Sequence, residues 1–580
     1  KDTKRTPRHA MGRGGGTYSA ETHVVQKQLN RGMDTTAKTN APTKRKQNRY
    51  VFQNFLERLT TINIDVTHRV NRGSDTFGLE EKGSYFLARL TEVQTLNKTQ
   101  DFVDFAADLR PYIQSLPMIL HYLPDIINTI VFHLEREKST AIGSILDVTA
   151  VLARDMRQEM FPYFSRLTKI LTDLMDPRNS ERLEVVFTCL CYLIKFLARQ
   201  LVDVIGEVYD SVFRSLLSHT KPYVRKFAAE SLSFLIRKVR KKDQRLTLHT
   251  LMSLDEKDMQ DSKYASGELR DGLGMLLFEI LKGVQSGYHA QAKEWIPLMF
   301  RSLSVSAIPP GYSAERRDRN LTHRFLVISA ALRRACNFLY ISDVDEGAVN
   351  RFKANCDLFW EILIKRTNKV LKKLKKANSL DESKSHSSRE VLMTELSRLL
   401  LIGDVWARHR QGSRLTHPLK IISLLLPALS QARPAHSPHP SPPLAAAGRT
   451  LLATLLLSPA KFSEKSEKIL EKAVGDALEI PSGSNSADAI KGSLRFIRLL
   501  STKSRLEPPI SHTALRFSRA KIQIIKFLDS AAHRLLEIAP DAATVSGNGS
   551  ENGKSVGDEL LITAVFAIKE KDLFCRDGRR

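Results

Sequence analysis

After residue 49, apolar residues recur every three or four positions, which is the spacing of one face of an α-helix. Runs in which apolar and polar residues alternate, as in half-buried strands, are few. In YVFQNFLERL, for example, Phe52, Phe55, Leu56 and Leu59 fall on one helical face. The pattern therefore predicts an all-α protein.

The predicted helices come in pairs, and the pairs repeat. Aligning AVLARDM, CYLIKFL and SFLIRKV places Leu152, Leu193 and Leu235 in the same position, 41 and 42 residues apart. In the preceding helices Leu174 corresponds to Leu216, again 42 residues apart. A helix-pair period of about 40 to 47 residues is the signature of HEAT and armadillo repeats. The sequence thus predicts a HEAT/armadillo-type α-solenoid.

Changes in composition divide the chain into five predicted segments. Residues 1–49 are expected to be a disordered basic arm, because 12 Lys and Arg stand against three Asp and Glu and few apolar side chains. HEAT-like repeats follow over 50–345, with loops expected around 256–268 and 304–320. Further helical repeats occupy 346–430, with a basic run and a polar loop, SLDESKSHSSRE. A proline-rich linker at 431–449 precedes a less regular helical region at 450–580 with Gly, Ser and Asn loops.

The helix predicted to begin at Pro222, as the second of its pair, combines an apolar stripe with a cluster of charge. The stripe has spacings of three or four and is expected to pack on neighbouring helices; it consists of Val224, Phe227, Ala228, Ser231, Leu232, Leu235 and Val239. Only Glu230 opposes eight positive residues in this helix and its exit loop: Lys221, Arg225, Lys226, Arg237, Lys238, Arg240, Lys241 and Lys242.

Two other stretches are strongly basic. TKRKQNR contains Lys44, Arg45, Lys46 and Arg49. KRTNKVLKKLKK, at 365–376, has seven basic residues and no acid, and includes Lys372, Lys373, Lys375 and Lys376 beside a narrow seam of Val370, Leu371 and Leu374. Each basic stretch has two open interpretations. It is either a site that binds nucleic acid, import factors or another partner, or a solvated helix end or loop. At Pro222 the one-signed charge favours binding.

The net charge of the whole chain points in the same direction. With 89 Lys and Arg against 63 Asp and Glu, the formal charge is +26, which favours polyanionic partners: nucleic acid or an acidic protein before an anionic membrane. The apolar stretch LAAAGRTLLATLLL is interrupted by Arg449 and is too short to span a bilayer, so a soluble protein is expected. Because the chain begins at Lys1, without a signal segment, and its first methionine is Met11, we expect either a fragment of a longer protein or an uncertain gene prediction.

The motifs give no support to an enzyme. Cysteines are few, scattered and without zinc-ligand spacing, so structural thiols and no metal or cofactor are expected; they are Cys189, Cys191, Cys336, Cys356 and Cys575. HExxH and GxSxG are absent. The segment SGNGSENGKS resembles a phosphate loop, but Asn548 stands where that loop needs glycine. ATP hydrolysis that is lost on Lys554→Ala would be the sign of a nucleotide-driven enzyme.

The segment FLERLTTINIDVTHRV, followed in order by VTAVLARDM, KPYVRKFAAESLSFLIRKV and GLGMLLFEILKGV, resembles the amino-terminal portion of the U3 small nucleolar RNA-associated protein 20 family, also called the down-regulated in metastasis family. The resemblance is clearest over 48–240. It implies a non-catalytic HEAT-repeat scaffold of the small-subunit processome in the nucleolus, needed for 18S ribosomal RNA maturation. The implied partners are pre-ribosomal RNA, the U3 small nucleolar ribonucleoprotein and processome proteins, with no small-molecule substrate.

An alternative within the same architecture is a HEAT-repeat nuclear transport receptor or an adaptor unrelated to ribosome assembly. Surfaces that carry basic import signals should be acidic, so a net charge of +26 argues against a transport receptor. Binding to the Ran GTPase would favour it.

Overall fold

In a computed structural model of the chain, the described residues are 52–74, 84–136, 139–176, 178–254, 267–283, 287–308, 311–338, 346–378, 382–408 and single positions between 447 and 497. The chain divides into two units, Lys1–Gln53 and Asn54–Arg580, and every helix named below lies in the second. The predicted basic arm and residues 431–446 of the predicted proline-rich linker lie outside the described residues, whereas residues 447 and 448 at the end of that linker are helical and buried. The domain boundaries proposed above stay predictions.

The first described helices of the unit lie between residues 55 and 203. Their bounds are α1 (Phe55–Ser74), α2 (Tyr85–Leu96), α3 (Gln100–Leu109), α4 (Leu116–His121), α5 (Leu123–Leu134), α6 (Ile142–Met156), α7 (Phe164–Asp173), α8 (Ser180–Phe196) and α9 (Ala198–Asp203). Two 3₁₀ turns lie between helices: Arg110–Tyr112 between α3 and α4, and Arg157–Tyr163 between α6 and α7. Side chains that precede helices cap their free amides: the Ser84 hydroxyl accepts a hydrogen bond from the Leu87 N–H, and the Asn179 side chain accepts one from the Arg182 N–H.

The helices that follow become longer towards the carboxyl end. They are α10 (Ile205–Val208), a π-helical segment (Tyr209–Phe213), α11 (Arg214–Leu217), α12 (Pro222–Ile236), α13 (Gln244–Met252), α14 (Gly267–Leu281), α15 (Ala292–Ser302), α16 (Ala314–Phe338), α17 (Glu346–Asn378) and α18 (Glu382–Arg408). A 3₁₀ turn, Val305–Ala307, joins α15 to α16. No named strand occurs in these described ranges, although Lys282 and Tyr288 form an isolated bridge.

The helices stack as two parallel layers in sequence order. In one layer α2, α6, α8, α12, α14, α16 and α18 each contact the next; the other contains α3, α5, α7, the α10–α11 segment, α13, α15 and α17. Successive members of a pair pack across the layers, as α6 does on α5 and α18 on α17. This stacking of helix pairs confirms the predicted α-solenoid. No helix in the described part of the chain is both long and apolar enough to cross a membrane.

The repeat alignment corresponds to the three-dimensional register. Leu152, Leu193 and Leu235 lie on α6, α8 and α12, and all three are fully buried. Every member of the stripe predicted from Val224 to Val239 is buried as well. Pro222 is the first residue of α12, as expected from its missing N–H.

Two segments predicted as loops are partly helical. Helix α16 begins at Ala314, inside a region expected to be irregular up to residue 320, because the Ser313 hydroxyl caps the Arg316 N–H and Glu315 pairs with Arg319 one turn later. Helix α18 begins at Glu382, so most of SLDESKSHSSRE is helical instead of a loop. Both helix starts are polar, and polarity alone had suggested loops.

Helix α1 packs on both α8 and α12, which lie more than a hundred residues along the chain. The ring of Phe55 meets those of Phe227 and Phe234 at centroid distances of 6.0 and 5.5 Å, and Phe187 stacks on Phe227 at 4.2 Å. Edge and offset contacts of this kind stabilise aromatic clusters beyond their buried area. The cluster therefore joins three helices.

The buried face of α1 differs from the face predicted. Phe55, Leu59 and Ile62 are buried, whereas Leu56 is 52% exposed. Leu56 was placed on the same face because its spacing to Leu59 fits a helix, but only the neighbours in space decide which side of a helix is covered. The prediction for Leu56 was wrong.

Polar groups complete the contact of α1 with its neighbours. The Phe55 N–H donates to the Glu230 carboxylate at 2.8 Å, which satisfies a free amide at the helix start. The guanidinium of Arg58, almost fully buried, pairs with Glu184 and donates to the Thr188 hydroxyl at 2.8 Å. A buried charge is tolerated when it is paired and hydrogen-bonded, so these contacts fix the position of α1 on α8 and α12.

Glycine permits the close approach of α14 to the preceding pair. A Cβ at Gly272 would overlap the backbone carbonyl of Leu217, the last residue of α11. Helical backbone cannot move aside as a flexible side chain can. By contrast, a Cβ at Gly143 on α6 would have no atom within 4 Å.

We expect Gly272→Ala to destabilise the protein by about 1–3 kcal/mol, because the methyl group forces α14 away from α11. The matched variant Gly143→Ala should be neutral or stabilising by up to about 1 kcal/mol, since alanine has the higher helix propensity and nothing obstructs it. Denaturant unfolding of both variants measures the difference. Equal effects of the two substitutions would contradict close packing at Gly272.

Glu230 should make stability depend on pH. Burial raises the pKa of its carboxyl; Glu279 acts in the same direction, whereas the bond from Phe55 and the charges of Lys226 and Lys282 oppose it. With the folded pKa above the unfolded one, the folded state binds more protons between the two values. This contribution to stability is therefore present below the unfolded pKa and falls as pH rises through the folded pKa.

The substitution Glu230→Gln keeps an acceptor oxygen for the Phe55 N–H and removes the titrating group. We expect the stability of the variant not to fall as pH rises through the folded pKa of Glu230. Above that pKa, the variant should be at least as stable as the parent chain. Denaturant midpoints over a pH series measure both properties. Glu230→Ala, which also removes the acceptor, is the control and should be less stable than Glu230→Gln. An unchanged pH dependence in Glu230→Gln would contradict the assignment.

Candidate nucleic-acid interface

The eight basic residues in and after α12 are here named the α12 cluster: Lys221, Arg225, Lys226, Arg237, Lys238, Arg240, Lys241 and Lys242. Two of them face the interior of the stack. Arg225 is buried, pairs with Asp271 of α14 at 3.0 Å and donates to the backbone carbonyls of His219 and Thr220 at 2.7 and 3.0 Å. All of these contacts are internal, so they hold Arg225 away from an external phosphate.

Arg237 has a comparable structural role at the end of α14. Its guanidinium donates to the carbonyls of Glu279 and Lys282, the latter at 2.6 Å, where the helix leaves carbonyls without partners. A positive charge at a helix carboxyl terminus is also favoured by the helix dipole. Burial lowers the pKa of Arg237, although an arginine keeps its proton under such conditions. Arg237 therefore links α12 to α14.

Three other members lie at the surface but have acidic partners. Lys226 is 3.8 Å from Glu230, Arg240 pairs with Asp243 at 3.0 Å, and Lys241 reaches across to α15 to pair with Glu294 at 2.6 Å. Each pair is solvent-exposed on at least one side, so it stabilises weakly. It nevertheless lowers the positive field that the cluster presents to a partner.

Lys221, Lys238 and Lys242 are the exposed members without an ion pair to any residue that the structure describes. The ammonium group of Lys238 lies 4.5 Å from the centre of the Phe234 ring. Along the sequence, eight positive residues stand against Glu230 alone, whereas in space Asp243, Asp271 and Glu294 also pair with members of the cluster. Eight positive charges therefore face four negative ones, and the cluster is less one-signed than its sequence.

A cavity of about 1010 Å³ adjoins the cluster, between the end of α8 with α9 and α10 on one side and the loop after α12 with α13 on the other. Lys195, Arg199, Lys238 and Arg240 contribute positive charge; Asp203, Glu207 and Asp243 contribute negative charge. Burial, together with the nearby Arg154, lowers the pKa of Lys195. The cavity presents both signs of charge, in contrast to the one-signed field that attracts a phosphate backbone.

The basic run on α17 has a different environment. Its exposed side chains form what we name the α17 lysine stripe: Lys365, Lys369, Lys372, Lys373, Lys375 and Lys376. The opposite face contains the predicted seam of Val370, Leu371 and Leu374, and all three are buried. The predicted site residues included Lys372, Lys373, Lys375 and Lys376 but not Lys365 and Lys369. The helical spacings of four, three and four from Lys365 through Lys369 and Lys372 to Lys376 were the signal that could have identified them.

The remaining predicted groups are four basic residues before Tyr50 and two cysteines on α8. Lys44, Arg45, Lys46 and Arg49 lie outside the described residues. Cys189 and Cys191 are both buried on α8, which is covered on two sides, and burial raises the pKa of Cys189 to about 12. A thiol with so high a pKa is a poor nucleophile and a poor metal ligand at neutral pH. Within the described ranges, no group of three His, Cys, Asp or Glu could hold a metal ion.

Two curated proteins are similar to this chain. The chain is 29% identical over 256 residues to U3 small nucleolar RNA-associated protein 20 of Schizosaccharomyces pombe, a match that covers 44% of the chain and 10% of that protein. It is 26% identical over 271 residues to the protein of the same name in Saccharomyces cerevisiae, covering 46% and 10%. The chain therefore spans about a tenth of the length of the curated relatives it matches. These matches confirm the resemblance found in the sequence. No family model matches the chain.

Among solved structures, the chain is similar to a SYS-1/POP-1 complex, with a TM-score of 0.19 and 12% identity over 84% of this chain and 96% of that one. For a Kap95:Nup1 complex the TM-score is 0.21 and the identity 12%, over 82% of this chain and 70% of that one. For importin beta the TM-score is 0.19 and the identity 10%, over 81% of this chain and 83% of that one. The fold assignment rests on the helix stacking described above.

Substitution of a basic residue that pairs inside the stack should lower stability more than substitution of an exposed lysine without an ion pair. We expect Arg225→Ala to cost about 1–3 kcal/mol, because Asp271 loses a partner and two carbonyls lose their donor. Arg225→Lys should recover little, since an ammonium group cannot reproduce the forked contacts. Lys242→Ala should change stability by less than about 0.5 kcal/mol. Denaturant unfolding provides the comparison; equal losses would show that Arg225 is not a structural residue.

Proposed function

We propose that this chain forms part of a non-catalytic helical-repeat scaffold that supports ribosome biogenesis and ribosomal RNA processing. The observation that carries the proposal is the similarity to two proteins named U3 small nucleolar RNA-associated protein 20. The stacked helix pairs are consistent with it, because solenoids bind partners along extended surfaces instead of in a single catalytic pocket.

The proposed partners are pre-ribosomal RNA, the U3 small nucleolar ribonucleoprotein and proteins of the small-subunit processome, and the proposed location is the nucleolus. Support comes from the names of the relatives and from the net charge of +26, which favours association with polyanions. Through these contacts the scaffold would support maturation of 18S ribosomal RNA. Exposed basic side chains would contact phosphates without strong sequence preference.

A scaffold without catalysis is favoured by the same names and by the solenoid fold. The phosphate-loop-like segment at 546–555 lies outside the described residues. In the sequence, Asn548 occupies the position at which a phosphate loop has a glycine, so the segment departs from the pattern whose backbone amides wrap a phosphate.

The test is affinity purification of the tagged chain from nuclear extract, with and without ribonuclease, followed by detection of U3 RNA, 18S precursors and processome proteins. We expect all three to be recovered above a tag-only control. Proteins that survive ribonuclease would show docking by protein contacts, and their loss would make RNA the main tether. Absence of both U3 RNA and 18S precursors would overturn the proposed function, and recovery of Ran instead would favour a transport receptor.

A further inference from the structure

The exposed side chains of the α17 lysine stripe are all positively charged. Lys365, Lys369, Lys372 and Lys376 succeed one another at spacings of three and four, so they lie along one side of the helix. At the rise of an α-helix the stripe is about 16 Å long. Residues 362–378 contain no Asp or Glu. The side chains of Lys365, Lys369, Lys372, Lys373 and Lys375 make no ion pair with any described residue.

The support beneath the stripe is rigid. Leu363, Thr367 and Ala377 are buried together with the Val370 seam, and the Thr367 hydroxyl donates to the Leu363 carbonyl at 2.9 Å. Arg366 pairs with the buried Glu395 of α18 at 2.5 Å. Because Arg366, the single arginine of the run, is held in this ion pair, the exposed basic side chains of the run are all lysines. The lysines are therefore carried by a helix that packing and an ion pair hold in place.

We propose that the α17 lysine stripe binds the phosphate backbone of double-helical RNA. The inference deepens the proposed function, because it takes RNA binding from it and assigns that binding to one surface. Lysine ammonium groups are point charges suited to phosphate, whereas bidentate base recognition uses arginine. Lysines are also depleted from protein–protein interfaces, which argues against a protein occupant.

The form of RNA follows from what the exposed face lacks. Between 357 and 377 the exposed side chains are the six lysines with Glu361 and Asn368, while the aromatic residues Phe359 and Trp360 are buried. Proteins that bind single strands stack bases on exposed aromatic rings. This face offers no such ring, whereas a duplex hides its bases and presents phosphates and ribose hydroxyls. A duplex is therefore the better match.

The α12 cluster is the weaker candidate for the same ligand. Five of its eight members already contact acids or carbonyls, and the adjacent cavity includes three carboxylates. A phosphate backbone would have to compete with those groups. Its lysines provide a matched control, because the same number of charges can be removed there.

The experiment measures binding of an RNA duplex of about 16 base pairs to the full chain between about 50 and 200 mM salt. The test variant carries Lys365→Gln, Lys369→Gln, Lys372→Gln, Lys373→Gln and Lys375→Gln. The control carries Lys221→Gln, Lys226→Gln, Lys238→Gln, Lys241→Gln and Lys242→Gln, an equal loss of charge. Circular dichroism and unfolding midpoints check that both variants fold, and the same five stripe positions changed to arginine retain the charge.

We expect the stripe variant to bind at least about tenfold more weakly at low salt, with its log–log salt slope reduced by about 1 for each lysine that contacts a phosphate. The control should change by less than about threefold, and the arginine variant should bind like the parent chain. A single strand of the same length should compete less well than the duplex. Equal losses in stripe and control variants, or equal competition by the single strand, would overturn the inference.

Failure of the stripe assignment can be distinguished from failure of the proposed function. If the parent chain recovers U3 RNA and 18S precursors but the stripe variant binds duplex RNA normally, the function stands and the stripe assignment fails. If the stripe variant loses duplex binding while the parent chain recovers neither RNA from nuclear extract, the assignment stands and the role in ribosome biogenesis fails.

Discussion

In the layer that contains α12, each helix between α2 and α18 is covered by the preceding and the following helix of that layer, and this two-sided burial is the constraint on which the rest of the structure depends. A helix in such a position cannot keep a free charged face. Charged side chains on it either reach an acid or a carbonyl on a neighbouring helix or extend past its end into solvent. Arg225 and Arg237 on α12 follow the first course, and Lys242 follows the second.

The same constraint explains the role of Asp271. One carboxylate on α14 accepts from Arg225 of α12 and from Arg334 of α16, so three successive helices are joined through one group. Close approach at Gly272, the next residue, brings the same helix against the end of α11. Polar bridging and steric fit thus coincide at one position, where the repeats are held in their order by specific contacts as well as by general apolar burial.

Surfaces available to partners lie where the two-sided burial ends. Helix α17 belongs to the other layer and packs on α15 and α18, which leaves one side to solvent along its final turns. There the chain concentrates lysines without acids, consistent with a scaffold that contacts a polyanion along an edge. The α12 cluster, although as basic in sequence, is mostly occupied in binding its own neighbours.

The sequence by itself determined the helical class, the period of the repeats and the buried stripe of α12, because these depend on local spacing that every repeat shows in the same way. It also located the basic run of α17, since a run without acids needs no distant information. Only the tertiary structure decided that α1 docks on α8 and α12, that Leu56 faces solvent and that Glu230 receives an amide from Phe55. Those facts depend on residues more than a hundred positions apart. Periodicity defines the face of a helix, whereas the partner that covers it, and the acid that neutralises its charge, are set by packing in space.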